Sequence, residues 1–344
     1  MRRLVLVAAL AGALSPPTSA QDHLTYVGRL ELPVAGDSLG SSDAVTADPA
    51  TGEIFVCDAR NGRIVIYDGD GAFRHQIAGG DVFSAPRDLA VAPDGRLLLV
   101  ANHRGRPALL ELDFDGLLQS EIVLSGFPEE VDPPHLTSVA LSPDGETVYA
   151  ADQGNLRVWL ASRSGEVRGS LDLAAGADDR TRRDRLLGHV DVYGDRFLVA
   201  VPSTGLIHLY SLDGRERGSV GFKGSSACQT AFPVAAARDE RGELVLVDQQ
   251  RMLLMRWTEV DNRCLAQYGG IGLAAGAFYF PHDLALDGAG RLYVSQGYEG
   301  RVQMYEGFPP AAGAAPPPAP RRKSSALGPP SRQFHWLREQ AGIL

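Results

Sequence analysis

The chain has 344 residues, of which 44% are apolar and 22% charged, with 39 glycines, 22 prolines and three cysteines. This composition excludes a disulfide-rich miniprotein, a collagen, a coiled coil and a fully disordered chain. Charge is unevenly distributed: residues 1–20 carry +2, the body 21–307 carries −15 and the tail 308–344 carries +4. Because an acidic body repels phosphate backbones, the composition argues against nucleic-acid binding.

The first twenty residues have the pattern of a secretory signal peptide. Arg2 and Arg3 precede an apolar run over 4–14, and small residues lead to a cleavage site after Ala20. The apolar run is too short for a membrane helix, which needs about 20 residues. We therefore expect residues 1–20 to be removed and the mature chain to be secreted or periplasmic, and soluble.

An extracytoplasmic compartment permits disulfides, but three cysteines cannot all pair within one chain. Cys57 lies in the apolar run 54–58, which predicts a small buried side chain. Cys228 and Cys264 remain as a candidate pair. Our strand assignment places them towards opposite ends of neighbouring strands, which argues against a bridge because bonded cysteines need Cα atoms within about 7 Å. The pairing is left open.

A unit of 45 to 51 residues recurs six times along the acidic body. Its first, apolar strand is marked in turn by Asp43, Asp88, Ser138, His189, Val234 and Asp283. Three further short strands, bounded by Gly, Asn, Asp and Pro, follow in the first five units. A period of this length predicts a β-propeller.

The last unit has only three strands, whereas 25–31 is a strand that precedes the first unit and belongs to none. Pairing this strand with the last unit would close the ring and cover its edges. The predicted fold over 21–307 is therefore an all-β, six-bladed β-propeller of four-stranded antiparallel blades, with the N-terminal strand completing the last blade.

The repeated units resemble the NHL repeat family, most closely at 54–68 and next at 284–305. The shared features are an apolar first strand, a Pro-Asp-Gly-like turn, a Val-Ala-Asp-like second strand, and an Asn-Gly turn before a strand that ends in Tyr-Asp. The resemblance implies an NHL-type propeller. It leaves function open, because that family includes ligand-binding, protein-binding and enzymatic members.

Beyond residue 307 the composition changes. Residues 308–330 are rich in proline and alanine and include the basic run 321–323, which predicts an extended linker. Residues 331–344 place Phe334 and Leu337 on one face of a short amphipathic segment, with Trp336 beside it. Two interpretations stay open: the segment covers the propeller or is unstructured, or it docks on a partner complex or a membrane surface.

Candidate binding residues follow from the position of loops in a propeller. Loops that lead into the innermost strands, and loops between the second and third strands, gather at one mouth of the central channel. We predict a site for a protein or small-molecule ligand at this mouth. Its candidate residues are Asp43, Asp88, Asn102, His103, His135, His189, His282 and Asp283.

Four of these residues are also candidate metal ligands: Asp43, Asp88, Asp283 and His282. The three aspartates occupy equivalent places in adjacent blades one, two and six, and their oxygens suit Ca²⁺, whereas histidine suits Zn²⁺. The alternative is that each aspartate accepts a hydrogen bond from its own turn. No cofactor is required by the sequence.

Residues 280–284, Phe-Pro-His-Asp-Leu, resemble the unit that carries a histidine metal ligand in peptidyl-hydroxyglycine amidating lyases. That family implies matching histidines in other blades. The positions equivalent to His282 hold Ser42, Arg87, Thr137, Gly188 and Pro233, so the set of histidines is not reproduced.

Three functional hypotheses follow. The sequence contains no Gly-x-Ser-x-Gly, HExxH, Cys-x-x-Cys or phosphate-loop motif, so it carries no positive signature of an enzyme. The first hypothesis is an extracytoplasmic ligand-binding, protein-binding or scaffold module. The second is a metal-dependent lyase or hydrolase, amidating-lyase-like or lactonase-like, at the channel mouth. The third is a peripheral subunit of a cell-envelope complex, held by 331–344.

Overall fold

A computed structural model describes residues 24–34, 36–239 and 241–308. These residues form 24 β-strands, arranged in six four-stranded antiparallel sheets. The predicted signal peptide, the linker beyond Phe308 and the amphipathic segment 331–344 lie outside the described residues. The predicted six-bladed, all-β architecture is confirmed.

Each blade from one to five consists of four strands that are consecutive in the chain. Blade one contains β2 (Ser42–Ala47), β3 (Ile54–Asp58), β4 (Arg63–Tyr67) and β5 (Phe73–Ala78). Blade two contains β6 (Ser84–Val91), β7 (Leu97–His103), β8 (Arg106–Leu112) and β9 (Leu118–Ile122). Blade three contains β10 (Leu136–Leu141), β11 (Thr147–Asp152), β12 (Arg157–Ser162) and β13 (Val167–Asp172). Blade four contains β14 (Val190–Tyr193), β15 (Arg196–Val201), β16 (Leu206–Ser211) and β17 (Glu216–Val220). Blade five contains β18 (Pro233–Arg238), β19 (Glu243–Asp248), β20 (Leu253–Thr258) and β21 (Arg263–Gly269).

Blade six joins the two ends of the propeller. It contains β22 (Pro281–Leu286), β23 (Arg291–Gln296) and β24 (Arg301–Glu306), and β1 (Thr25–Arg29) is its outermost strand. β1 pairs antiparallel with β24, with Thr25 opposite Glu306 and Arg29 opposite Gln303. The predicted closure is therefore present, and it covers the edge that β24 would otherwise expose.

The middle strands are buried on both faces, because blades pack against blades on either side. Every residue of β3 and β4 is buried, which explains why these strands are continuous apolar runs rather than alternating ones. Apolar clusters lie between successive blades around the ring. A turn of the Pro-Asp-Gly type also touches its neighbour: Gly145 has φ +74°, and a Cβ there would lie 2.7 Å from Cδ of Pro93.

The structure joins Cys228 and Cys264 in a disulfide, with a Cα–Cα distance of 5.6 Å. This finding overturns the geometric argument against the bridge. Cys228 lies in the loop that connects blades four and five, and Cys264 lies near the start of the outermost strand β21. The loop passes that strand closely, because the amide of Gly221 donates to Oδ1 of Asn262 at 3.0 Å. Cys57 is free and buried, as predicted.

Helical structure is minimal in the described chain. One five-residue helix, α1 (Asp179–Arg183), interrupts the connection between blades three and four, and Asp178 caps it by accepting from the amide of Thr181. The strand-and-turn pattern of the sequence did not indicate it. No helix in the described ranges has the length and hydropathy needed to cross a membrane.

Candidate functional site

A cavity of about 640 Å³ occupies the central channel. The innermost strands β2, β6, β10, β14 and β22 form its wall, largely through valine, leucine and alanine. Its rim is formed by the turns that follow these strands, including Pro49, Pro93 and Pro143. The volume lies within the range of small-molecule sites, which is about 300–1,000 Å³.

The cavity extends towards the face opposite the predicted mouth. We predicted a binding site at the loops that lead into the innermost strands. The residues that line the cavity instead extend to the turns at the other ends of these strands. Asp88, His189 and Asp283 form the inner end of the cavity, away from these turns.

These three side chains converge from alternate blades. Asp88 belongs to β6 of blade two, His189 immediately precedes β14 of blade four, and Asp283 belongs to β22 of blade six. Their ligand atoms all lie within 4.8 Å of one another. Nδ1 of His189 is 3.7 Å from Oδ2 of Asp88 and 3.5 Å from Oδ1 of Asp283. We predicted a cluster of aspartates from the adjacent blades one, two and six. The structure instead brings together side chains from the alternate blades two, four and six.

Backbone amides of the next blade hold both carboxylates in place. Oδ2 of Asp88 accepts from the amide of Val139 at 2.9 Å and from the hydroxyl of Ser138. Oδ2 of Asp283 accepts from the amide of Val45, also at 2.9 Å. The alternative prediction, in which each aspartate bonds its own turn, is therefore incomplete, because both aspartates also join neighbouring blades.

At the inner end of the cavity, burial and neighbouring charges shift the pKa values of His189 and Asp283. Burial lowers the pKa of His189, but the carboxylates of Asp283 and Asp88 outweigh burial and raise it to about 9. Burial raises the pKa of Asp283 to about 6, against the lowering effect of protonated His189. The two neighbouring carboxylates therefore favour the protonated form of His189.

Asp191 also lines the cavity, and it was not among the predicted site residues. It accepts from the hydroxyl of Tyr193 and from the amide of Val192, both at 2.8 Å. Burial raises the pKa of Asp191 to about 7. A signal was present in the sequence: His189, just before β14, and Asp191 and Tyr193 within it alternate along the chain, so all three lie on the same face of the sheet.

His282 and Asp43 lie beside the cluster. The Nδ1–H of His282 donates to the backbone carbonyl of Asp43 at 2.7 Å, and its ring meets that of His189 edge-on with 5.5 Å between centroids. The carboxylate of Asp43 turns away and accepts from the hydroxyl of Ser41 at 2.6 Å. Of the four predicted metal ligands, Asp88 and Asp283 belong to the cluster within the described chain, and His189 replaces the other two.

The remaining predicted site residues lie elsewhere. Asn102 pairs with Ser84 at the end of β7. His103 is buried, and its Nδ1–H donates to the carbonyl of Val82 at 2.5 Å. His135 lies in a loop, where its amide donates to Asp152 at 2.9 Å. None of the three predicted residues lines the cavity.

Comparisons with known proteins find solved structures with a similar fold. No protein-family model and no curated protein matches the chain. A solved protein of unknown function from Bacteroides thetaiotaomicron is 15% identical, with a TM-score of 0.56, and the match covers 83% of this chain and 72% of that one. A catalytically inactive histidine-to-alanine variant of virginiamycin B lyase from Staphylococcus aureus, solved with quinupristin, is 13% identical, with a TM-score of 0.54 and coverage of 80% and 83%. Similarity at these identities shows the fold alone.

Proposed function

We propose that this protein is a small-molecule-binding module whose ligand occupies the central-channel cavity. The observation that carries the proposal is the cavity itself, about 640 Å³ in volume, with a mainly apolar wall and with Asp88, His189 and Asp283 at its inner end. Small-molecule sites typically combine a mainly apolar lining with a few convergent polar groups. A ligand for this site has an apolar body along the wall and a polar group at the inner end.

The wall sets the character of the ligand's body. Val45, Val139 and Val190, from three blades, are among the lining residues, as are Leu89 and Leu141. Removing apolar ligand surface from water contributes roughly 25 cal/mol per Å², so this wall supplies affinity. The buried side chains of Asp88, His189 and Asp283 supply orientation, because a polar group that fails to meet them there is left without partners.

We also propose that the protein acts outside the cytoplasm, as a secreted or periplasmic NHL-type propeller. The signal-like sequence over 1–20 supports export. The disulfide between Cys228 and Cys264 supports it independently, because such bonds form and persist in oxidising compartments. The repeat pattern at 54–68 supports the NHL assignment.

A fluorescent probe tests the binding proposal without knowledge of the natural ligand. The probe is N-phenyl-1-naphthylamine, an uncharged aromatic molecule whose emission rises in apolar surroundings. The purified mature protein is expected to give a saturable signal with one site. Ala47 lines the cavity and is partly exposed to it, so Ala47→Trp is expected to weaken probe binding at least tenfold by filling space.

Ala78→Trp is the matched control. Ala78 is exposed on β5, the outermost strand of the same blade, so the substitution adds the same side chain away from the channel. Probe binding by this variant should equal that of the unsubstituted protein. Absence of a saturable signal, or equal binding by the Ala47→Trp variant, would refute the proposed function.

A further inference from the structure

We propose that Asp88, His189 and Asp283 bind one divalent first-row transition-metal ion at the inner end of the cavity, leaving a coordination position that faces the ligand. The inference rests on the proposed function, since the ion would anchor the ligand of that same cavity. It assigns to the channel a metal site with two carboxylates and one imidazole.

The spacing of the donor atoms supports an ion between them. Nδ1 of His189 lies 3.5 Å from Asp283 and 3.7 Å from Asp88, distances that exceed those of ordinary hydrogen bonds between nitrogen and oxygen. Donors that share a tetrahedral zinc at bonds of about 2.0–2.1 Å are separated by about 3.3 Å. The three groups therefore need only small movements to coordinate one ion, and His189 releases its proton to the solvent when its nitrogen binds the metal.

The position of the three donors in the ring gives them a common target. Blades two, four and six are spaced evenly around the channel, so side chains from equivalent positions point towards its axis from three sides. Three donors that surround one point can all bind a single ion placed there, which a linear chain of ion pairs could not do. The fourth side faces the cavity, which these residues line.

Neighbouring blades orient the carboxylates as outer-shell partners orient metal ligands. Ser138 and the amide of Val139 fix Asp88, and the amide of Val45 occupies Oδ2 of Asp283, which leaves its Oδ1 towards His189. Such outer-shell hydrogen bonds commonly tune metal affinity by 10-fold to 100-fold. The same hydrogen bonds between blades thus orient the donor carboxylates and stabilise the closed ring.

The donor types indicate the class of metal. An imidazole nitrogen with two carboxylates suits zinc, manganese or ferrous iron, and calcium is disfavoured because it takes six to eight oxygen ligands. Asp191 adds a further carboxylate to the same cavity, which favours a cation there. An open position at such an ion would take a donor oxygen or nitrogen of the ligand.

Metal binding is measured on the full mature chain after treatment with EDTA and exchange into metal-free buffer. Calorimetry with zinc chloride, and metal analysis of desalted protein, are expected to give one ion per chain. His189→Ala and Asp283→Asn are each expected to weaken zinc binding at least tenfold. The asparagine keeps an acceptor for the amide of Val45, so circular dichroism should confirm an intact fold.

His75→Ala is the control, because His75 lies on β5, away from the channel, and its loss should leave zinc binding unchanged. Absence of a stoichiometric zinc site, or full binding by folded His189→Ala and Asp283→Asn proteins, would overturn the inference. Titration of the same metal-free samples with N-phenyl-1-naphthylamine separates the two proposals. Probe binding without zinc binding would refute the metal site and leave the binding module standing.

Discussion

Replacing Cys228 and Cys264 together by serine is expected to lower the free energy of unfolding by about 4 kcal/mol. The bridge joins residues 36 positions apart. In the chain-entropy treatment, closing a loop of that length removes about 13 cal/mol/K from the unfolded ensemble, which is about 4 kcal/mol at 25 °C. The native loop keeps other contacts, including the hydrogen bond between Gly221 and Asn262, so the folded state should retain its shape.

Urea unfolding followed by tryptophan fluorescence measures this loss. The unsubstituted protein should show a lower midpoint when reductant has opened the bridge, with opening verified by thiol alkylation and mass spectrometry. The double serine variant is the control, because its remaining thiol, Cys57, is free and buried, and reductant should leave its midpoint unchanged. Equal midpoints for bridged and reduced protein would refute the assignment of stability to this disulfide.

Three further predictions concern stability and ring closure. Burial holds the pKa of His208 below its usual value, so the unfolded chain binds the proton more readily. The contribution of His208 to stability should therefore fall as pH drops below about 6.5, and His208→Gln should remove it, so that the difference in unfolding free energy between the two proteins changes with pH in denaturant titrations. Ser138→Ala removes the hydroxyl that donates to Asp88 and accepts from the amide of Val190, and should cost about 1–3 kcal/mol in urea unfolding; an unchanged midpoint would count against the blade-to-blade contact. Deleting Thr25–Arg29 exposes the edge of β24 and should cause self-association in light scattering, whereas a monodisperse monomer would contradict the closure.

The architecture was predictable because it depends on a local pattern repeated six times. Of the six residues that marked the first strands, five lie within β2, β6, β10, β18 and β22, and the sixth, His189, immediately precedes β14. The N-terminal strand was predictable from a count, since the last unit lacked one strand. These inferences required turn residues and apolar runs, which the sequence displays directly.

The site was predictable only in part, because it depends on which blades face each other. Asp88, His189 and Asp283 were each candidate residues, but their convergence from alternate blades follows from ring closure and not from spacing in the chain. Likewise, Cys264 meets Cys228 through a long loop between blades, whose path no repeat pattern determines. The alternation of His189 with Asp191 was the one local signal of the site that the sequence analysis did not use.

The proposed binding cavity is tested most directly by a crystal structure of the mature protein grown with N-phenyl-1-naphthylamine. Difference density for the probe is expected inside the channel, in contact with Val45 and Leu141, and none is expected there in the Ala47→Trp variant. Density for the probe only on the outer surface, or an empty channel at a saturating probe concentration, would rule out the channel as the binding site.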